Sequence, residues 1–378
     1  MSDFNVMAFG AKGDGVTDDT AAIRAVVAEA GKVNGTVFFP TGKYLSGEIR
    51  LSPGVVLKGE TGYSYRESYG SILVLRDDSD SACLVNMTDS YGARVHSLCL
   101  TGRADDYARD MNLQTYDNMS QRAKKKDGSR IVHGIMLKRT NAYSPQEDAV
   151  CVDNCRVEFF TGDGIHFERI WCFSVRHTQM FFNKGAGIWC QGWDGFVIDC
   201  WMSCNTDGGF VALEENSANT LTGNRIEWNP GGGIVIKNGL NYNITGNYID
   251  RSGNAGIRLE DTHVFAISGN VVYRSGKPEW GNDDDLDSCH IRLERCNGIT
   301  VSGNSLTIGG DDGGRGMLAP YYGMVIRHCT DSVIGMNSLH KAALKELIVE
   351  QDNTGCIIKD NAGRLATLEN FVPAPSSW

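Results

Sequence analysis

The sequence predicts an all-β solenoid, a right-handed parallel β-helix closed at its N-terminus by a short capping helix. Three observations predict it: a row pattern that recurs about every 23 residues, a column of asparagines at one point of that row, and abundant glycine with little proline. Gly supplies 45 of the 378 residues and Pro only 8. Such a chain turns often and tightly, and its composition is neither collagen-like nor disordered.

The rows LTGNRIEWNPGGGIVIKNG, ITGNYIDRSGNAGIRLEDT, AISGNVVYRSG and TVSGNSLTIGG share a core of small residue, Gly, Asn, any residue, apolar residue. Asn224, Asn247, Asn270, Asn304, Asn337 and Asn361 stand at its fixed point, separated by 23, 23, 34, 33 and 24 residues. Each Asn is expected at a corner between two short strands, where it tolerates left-handed backbone and its amide can bond along the stack. Earlier rows carry Cys155, Thr178 and Cys200 there. A Gly-rich turn then leads to a strand of the form Ile234-Val235-Ile236, Ile257-Arg258-Leu259 or Ile291-Arg292-Leu293, apolar residues inward and alternate residues outward. Helical and leucine-rich repeats are excluded by the absence of a 3.6-residue period, leaving a β-sandwich as the other fold. The N-terminal segment reads as a cap: Thr17 or Asp18 starts a helix whose apolar stripe is Ile23, Val26, Val27 and Ala30. One domain is expected over 1–362, with strand and cap in 1–35 and a tail in 363–378.

The segment VMAFGAKGDGVTDDTAAI, followed by GTVFFPTGKYLSGEIRLSPGVVLKGE, resembles the N-terminal signature of the pectate-lyase-like superfamily of β-helix proteins. That resemblance implies the β-helix fold and a sugar-directed activity, as in polygalacturonases, some β-glucanases and phage tailspikes. Asn205-Thr-Asp-Gly also resembles the first polygalacturonase motif, which would make Asp207 catalytic, but Gly231-Gly-Gly-Ile stands where that family places a paired Asp. Polygalacturonase activity is therefore not expected.

No apolar run is long enough to span a membrane, and the net charge of −10 opposes nucleic-acid binding. The basic run Arg122 to Lys126 reads as a solvated loop. Twelve Cys without CxxC pairs predict reduced, structural thiols, among them Cys151, Cys155, Cys190, Cys200 and Cys329. With no signal-peptide pattern at the start, a cytoplasmic location is expected, while a removed signal or phage origin stays open.

Chemistry is expected where the rows differ. The corner after the Asn-led strand is short in five consecutive rows and swells at 103–132, 275–288 and 309–322, so these loops are expected to wall a trough. Alternation puts Arg156 and Glu158, Gln179 and Phe181, Trp201 and Ser203, Arg225 and Glu227, Tyr248 and Asp250 on its outward floor. Glu227 and Asp250 occupy one column a row apart, the spacing at which paired carboxylates cleave glycosidic bonds; pairing with Arg225 and Arg251 is the structural alternative. Asp163 and Asp207 could supply a further carboxylate from short turns. Trp201, Tyr248, Trp189, His166, Arg225, Arg258 and Glu158 are expected to bind sugar through ring faces and charge. No cofactor or metal is expected; the acidic loop Asp283, Asp284, Asp285 and Asp287 is the one calcium candidate.

These readings give an enzyme that cleaves or transfers glycosidic bonds of an oligo- or polysaccharide. A polysaccharide lyase or a fructan-type, inulin lyase-like transglycosylase is the second reading. A non-catalytic carbohydrate-binding protein or phage appendage is the third, and monomer and homotrimer both stay open.

Overall fold

A computed structural model of the chain describes residues 3–60, 68–76, 79–102, 130–139, 146–276, 284–310 and 317–367. It divides into two compact units, one of Met1–Met111 with Lys125–Trp201 and one of Asn112–Lys124 with Met202–Trp378.

In the first unit the ladders among the described residues are parallel and join strands one row apart. Gly42–Ser46, Ser71–Leu75, Cys99–Thr101, Arg156–Glu158 and Gln179–Phe181 stack in sequence order. Cys83–Asn86, His133–Lys138, Ile165–Arg176 and Ala186–Ile198 form another column, and Val56–Lys58, Arg94–His96 and Val150–Asp153 a third. Like residues stack inside: Leu73, Leu100, Val157 and Met180 in one column, Val85, Ile135, Ile165 and Ile188 in another, all fully buried. Each such side chain contributes about 1.5–3 kcal/mol of burial.

The capping helix runs Thr20–Gly31 and buries the expected stripe of Ile23, Val26, Val27 and Ala30. Its first residue lies further on than the sequence suggests: Asp19 is the N-cap position. Asp18 Oδ1 accepts the Thr20 N–H at 3.0 Å, while Asp19 turns back and accepts from the Lys12 and Gly13 N–H groups at 2.7 and 3.0 Å.

The second unit repeats the plan. Arg225–Glu227, Tyr248–Asp250, Val271–Tyr273, Ser305–Thr307, Ser338–His340 and Ala362–Arg364 stack in parallel, so the pattern runs two residues past the expected boundary at 362. Gly208–Ala212, Ile234–Lys237, Ile257–Glu260, Cys289–Glu294, Tyr322–Arg327 and Glu346–Gln351 form the I-x-I column.

The asparagines form the expected ladder: Nδ2 of Asn224, Asn247, Asn270, Asn304 and Asn337 each donates to Oδ1 of the next at 2.9 Å, and that oxygen also takes the donor's backbone N–H. The left-handed backbone falls one residue earlier than expected. Gly223, Gly246, Gly269 and Gly303 hold φ between 64° and 69°, whereas the asparagines keep negative φ. In the first unit a thiol replaces the amide: Cys155 Sγ donates to the Val95 carbonyl and Cys200 Sγ to that of Val175, both at 3.4 Å. The contact to the earlier row thus survives, and the Cys155 N–H still donates to Thr178 Oγ1 of the next row at 3.3 Å, but no amide-to-amide bond links Cys155 to Thr178. A second amide pair, Asn205 on Asn229, stands at the other corner. Among the described residues no helix is long and apolar enough to cross a membrane.

Candidate active site

The first unit concentrates titratable groups at the start of its I-x-I strands. Aligning His133-Gly-Ile with Asp163-Gly-Ile sets Ile135 against Ile165, so His133 and Asp163 hold the same place in successive rows. His166, next on its strand, lies in register between Met136 and Trp189. Asp163 is buried at 7% exposure. Its Oδ2 lies 2.7 Å from His166 Nδ1 and 3.1 Å from His133 Nδ1, while Oδ1 accepts the Ala186 N–H at 2.6 Å. The Asp163 N–H in turn points at His133 Nδ1, 2.9 Å away. Burial pushes the Asp163 carboxyl up, but the hydrogen bonds and charges of the two histidines outweigh it and hold the group well below the ordinary carboxylate range.

The His166 ring is clamped on both faces, against His133 at 4.2 Å and 30° and against Trp189 at 4.5 Å and 10°. Nδ1 faces the carboxylate, and Glu168 Oε2 stands 3.9 Å from Nε2 of this half-buried imidazole. Lys138 pairs with Glu168 at 2.7 Å and remains half exposed. A clamped imidazole with an Asp on its far nitrogen is a general acid–base arrangement.

The second unit holds Glu227 and Asp250. They are register partners, as the column predicts. Both are buried, however, at 3% and 1% exposure, so the expected solvent-facing pair is not what the fold presents. Arg274 grips Asp250 with Nε at 3.0 Å and Nη2 at 2.8 Å, Arg251 adds a close contact, and Arg225 holds Glu227 at 2.9 Å. Guanidinium groups also lie over the rings of Tyr248, Trp228 and Tyr273. Part of the 309–322 loop joins the cluster: Gly309–Gly310 pairs antiparallel with Met317–Leu318, and Arg274 donates to the Gly310 carbonyl at 2.9 Å. Burial pushes the Asp250 carboxyl up, and its arginines draw it only partly back.

The other expected residues scatter. In the first unit Glu158 is buried and tied to Arg156 at 2.7 Å and to Ser68, and Trp201 meets Phe181 edge-on at 5.3 Å. In the second, Tyr248 is half-buried beneath Arg225, and Asp207 stands exposed in its turn. Arg258 bonds Asp287 at 3.0 Å. The acidic loop is not a calcium cluster in its described part: Asp287 is shared by Arg258 and Arg292, and Asp284 bonds Arg292 at 3.0 Å. Asp283, most of 103–132 and 277–283 lie outside the described residues, and with them the test of a two-walled trough. His133 escaped sequence reasoning, although its Gly-Ile neighbours carried the signal.

A family model described as rhamnogalacturonase A/epimerase, pectate lyase-like, matches residues 4–77, and one described as periplasmic copper-binding protein (NosD) matches residues 117–283. The mannuronan C5-epimerase AlgE5 of Azotobacter vinelandii is 27% identical over 246 residues, 63% of this chain but 23% of that protein. Alginate lyase 7 of the same organism is 33% identical over 111 residues, 29% of this chain and 13% of the lyase. The chain thus spans under a quarter of either relative. Among solved structures, the A-module of the A. vinelandii mannuronan C-5 epimerase AlgE6 superposes with a TM-score of 0.60 at 17% identity, covering 95% of this chain and 99% of that one. The Dettilon tailspike protein superposes at 0.64 and 14% identity, covering 95% and 66%. Stacked parallel ladders, the N-terminal match and these superpositions agree on one architecture: the chain has the right-handed parallel β-helix fold of the pectate-lyase-like superfamily.

Proposed function

We propose that this protein is a carbohydrate-active enzyme that acts on a uronate-containing polysaccharide by taking the proton next to the sugar carboxylate. The observation that carries the reading is the Asp163–His166 pair, bonded at 2.7 Å, with the imidazole laid flat on Trp189. Epimerisation at C5 and lyase cleavage of a uronan, the reactions in the names of the relatives AlgE5 and alginate lyase 7, share that first step. They part only in whether the carbanion is reprotonated on its other face or expels the glycosidic oxygen. His166 Nε2 is the proposed base, Asp163 fixes its tautomer, Trp189 offers a ring face to the sugar, and Lys138 is the cation proposed to meet the carboxylate.

The deciding experiment incubates the chain in D2O with polymannuronate and polygalacturonate. Deuterium entering C5, with or without an unsaturated product, is the expected result. Release of reducing ends carrying solvent oxygen, with no exchange at C5, would replace this reading by glycoside hydrolysis.

A further inference from the structure

We propose that His133 Nδ1, Asp163 Oδ2 and His166 Nδ1 form a binding site for one first-row divalent cation. The three atoms lie within 4.8 Å of one another in a half-buried cluster. A metal with bonds of about 2.0–2.1 Å separates neighbouring ligands by about 2.9–3.4 Å. The carboxylate oxygen already stands 3.1 and 2.7 Å from the two nitrogens, so two of the three ligand separations lie close to that range.

One ring nitrogen of the cluster meets two incompatible partners. His133 Nδ1 receives the Asp163 N–H at 2.9 Å and also faces the Asp163 carboxylate at 3.1 Å. An imidazole nitrogen has either a lone pair or a proton. As acceptor it sets a lone pair against an anion; as donor it turns its own N–H against the backbone N–H. A cation between Nδ1 and Oδ2 takes up the lone pair and neutralises the anion it faces, and in doing so replaces the bond from the Asp163 N–H. The surroundings keep the space open and the ligands aimed. A Cβ on Gly162 would come within 2.7 Å of His133 Nδ1, and one on Gly185 would strike Asp163 Oδ1. That oxygen is held by the Ala186 N–H, which leaves Oδ2 for the metal. Two imidazoles and one carboxylate, with positions left for water, suit zinc, cobalt or iron.

Binding changes the tautomer of His166. The metal takes Nδ1, and the displaced proton moves to Nε2, with no change in net protonation of the ring. If His166 is the base proposed above, on which this consequence rests, the loaded protein has no base, and the cation inhibits by competing with a proton.

The whole chain, freed of metal, is titrated with Co2+ and read by its visible d–d absorption and by calorimetry, with Zn2+ as competitor. One equivalent, displaced by Zn2+, is expected, and His133→Ala and Asp163→Asn should each weaken it by about 100-fold or more. Should either variant fail to fold, X-ray absorption of the zinc-loaded wild type decides, with two imidazoles in the coordination sphere as the required result. Absence of a saturable band, affinity unchanged in the folded variants, or fewer than two imidazoles would overturn the site. Turnover undiminished by stoichiometric Zn2+ would overturn the competition alone. A chain inert on every uronan, yet binding Co2+ as described, would remove the proposed reaction and leave the metal site standing.

Discussion

Each unit buries a carboxylate among nitrogen-bearing side chains, and the two clusters differ in what those side chains can do. Asp163 is bonded to two imidazoles, a side-chain type that can both accept and donate a proton. Asp250 is surrounded by guanidinium groups, which stay charged in water and in proteins alike. The first arrangement can move a proton. The second ties its carboxylate to groups that keep their protons, which is why we propose that Glu227 and Asp250, whose spacing alone suggests a glycosidase, hold strands together instead.

The comparison breaks first on turnover. His166→Gln should lower uronan exchange by about 10²–10⁴-fold, the usual loss of a general base, while Asp250→Asn, assayed under conditions where it is folded, should stay within about threefold of wild type by the same standard. The reverse ranking would return the chemistry to Glu227 and Asp250.

Stability sharpens it next. Asp250→Asn leaves Arg251 and Arg274 buried against a neutral amide and should cost about 3–5 kcal/mol in urea unfolding. A loss below about 1 kcal/mol would show the ion pairs to be dispensable.

A third group isolates the imidazole from its carboxylate. His290 is fully buried, and neither ring nitrogen has a well-formed hydrogen bond among the described residues. Burial, slightly opposed by the Ala342 backbone, brings its pKa from 6.5 down to about 3. Between those values the unfolded chain binds the proton and the folded chain does not, so stability falls as pH drops through the window, by up to about 1.4 kcal/mol per pH unit. His290→Leu should flatten that slope in denaturation curves taken at successive pH values.

The smallest effect belongs to a carboxylate without a cation. Asp14, fully exposed, accepts from the Thr17 and Val16 N–H groups and the Thr17 hydroxyl, which lowers its pKa from 3.8 to about 2. The stability it contributes is complete above 3.8 and lost as pH falls toward about 2. Its carboxyl resonance should titrate at that low midpoint, and a midpoint near 3.8 would mean the turn is not formed in solution.

The sequence carries the repeat because a ladder needs the same residue at the same place in each row: the asparagines and the Glu227–Asp250 register are both visible as spacing. Burial of the outward face is not visible that way. Alternation says which side of a strand a residue leaves from, but not that Arg225, Arg251 and Arg274 then lie down over the rings beside them. The same limit hid the end of the helix cap, where two adjacent aspartates divide the work between the helix and a distant turn. His133 was legible in principle, since its Gly-Ile sequence aligns with that after Asp163, but its row begins just past the long segment 103–129, where the spacing is lost.

The asparagine ladder also constrains how this gene can change length. Asn224, Asn247 and Asn270 recur at intervals of 23 residues and offer each neighbour the same donors and acceptor. Excising Arg225 to Asn247 as one block would bring Asn224 onto Asn270 with the same bonds, whereas removing a few residues from inside a row would turn apolar side chains outward and strand the amides. Insertions and deletions in this stretch are therefore quantised: the chain can gain or lose a whole turn more readily than part of one.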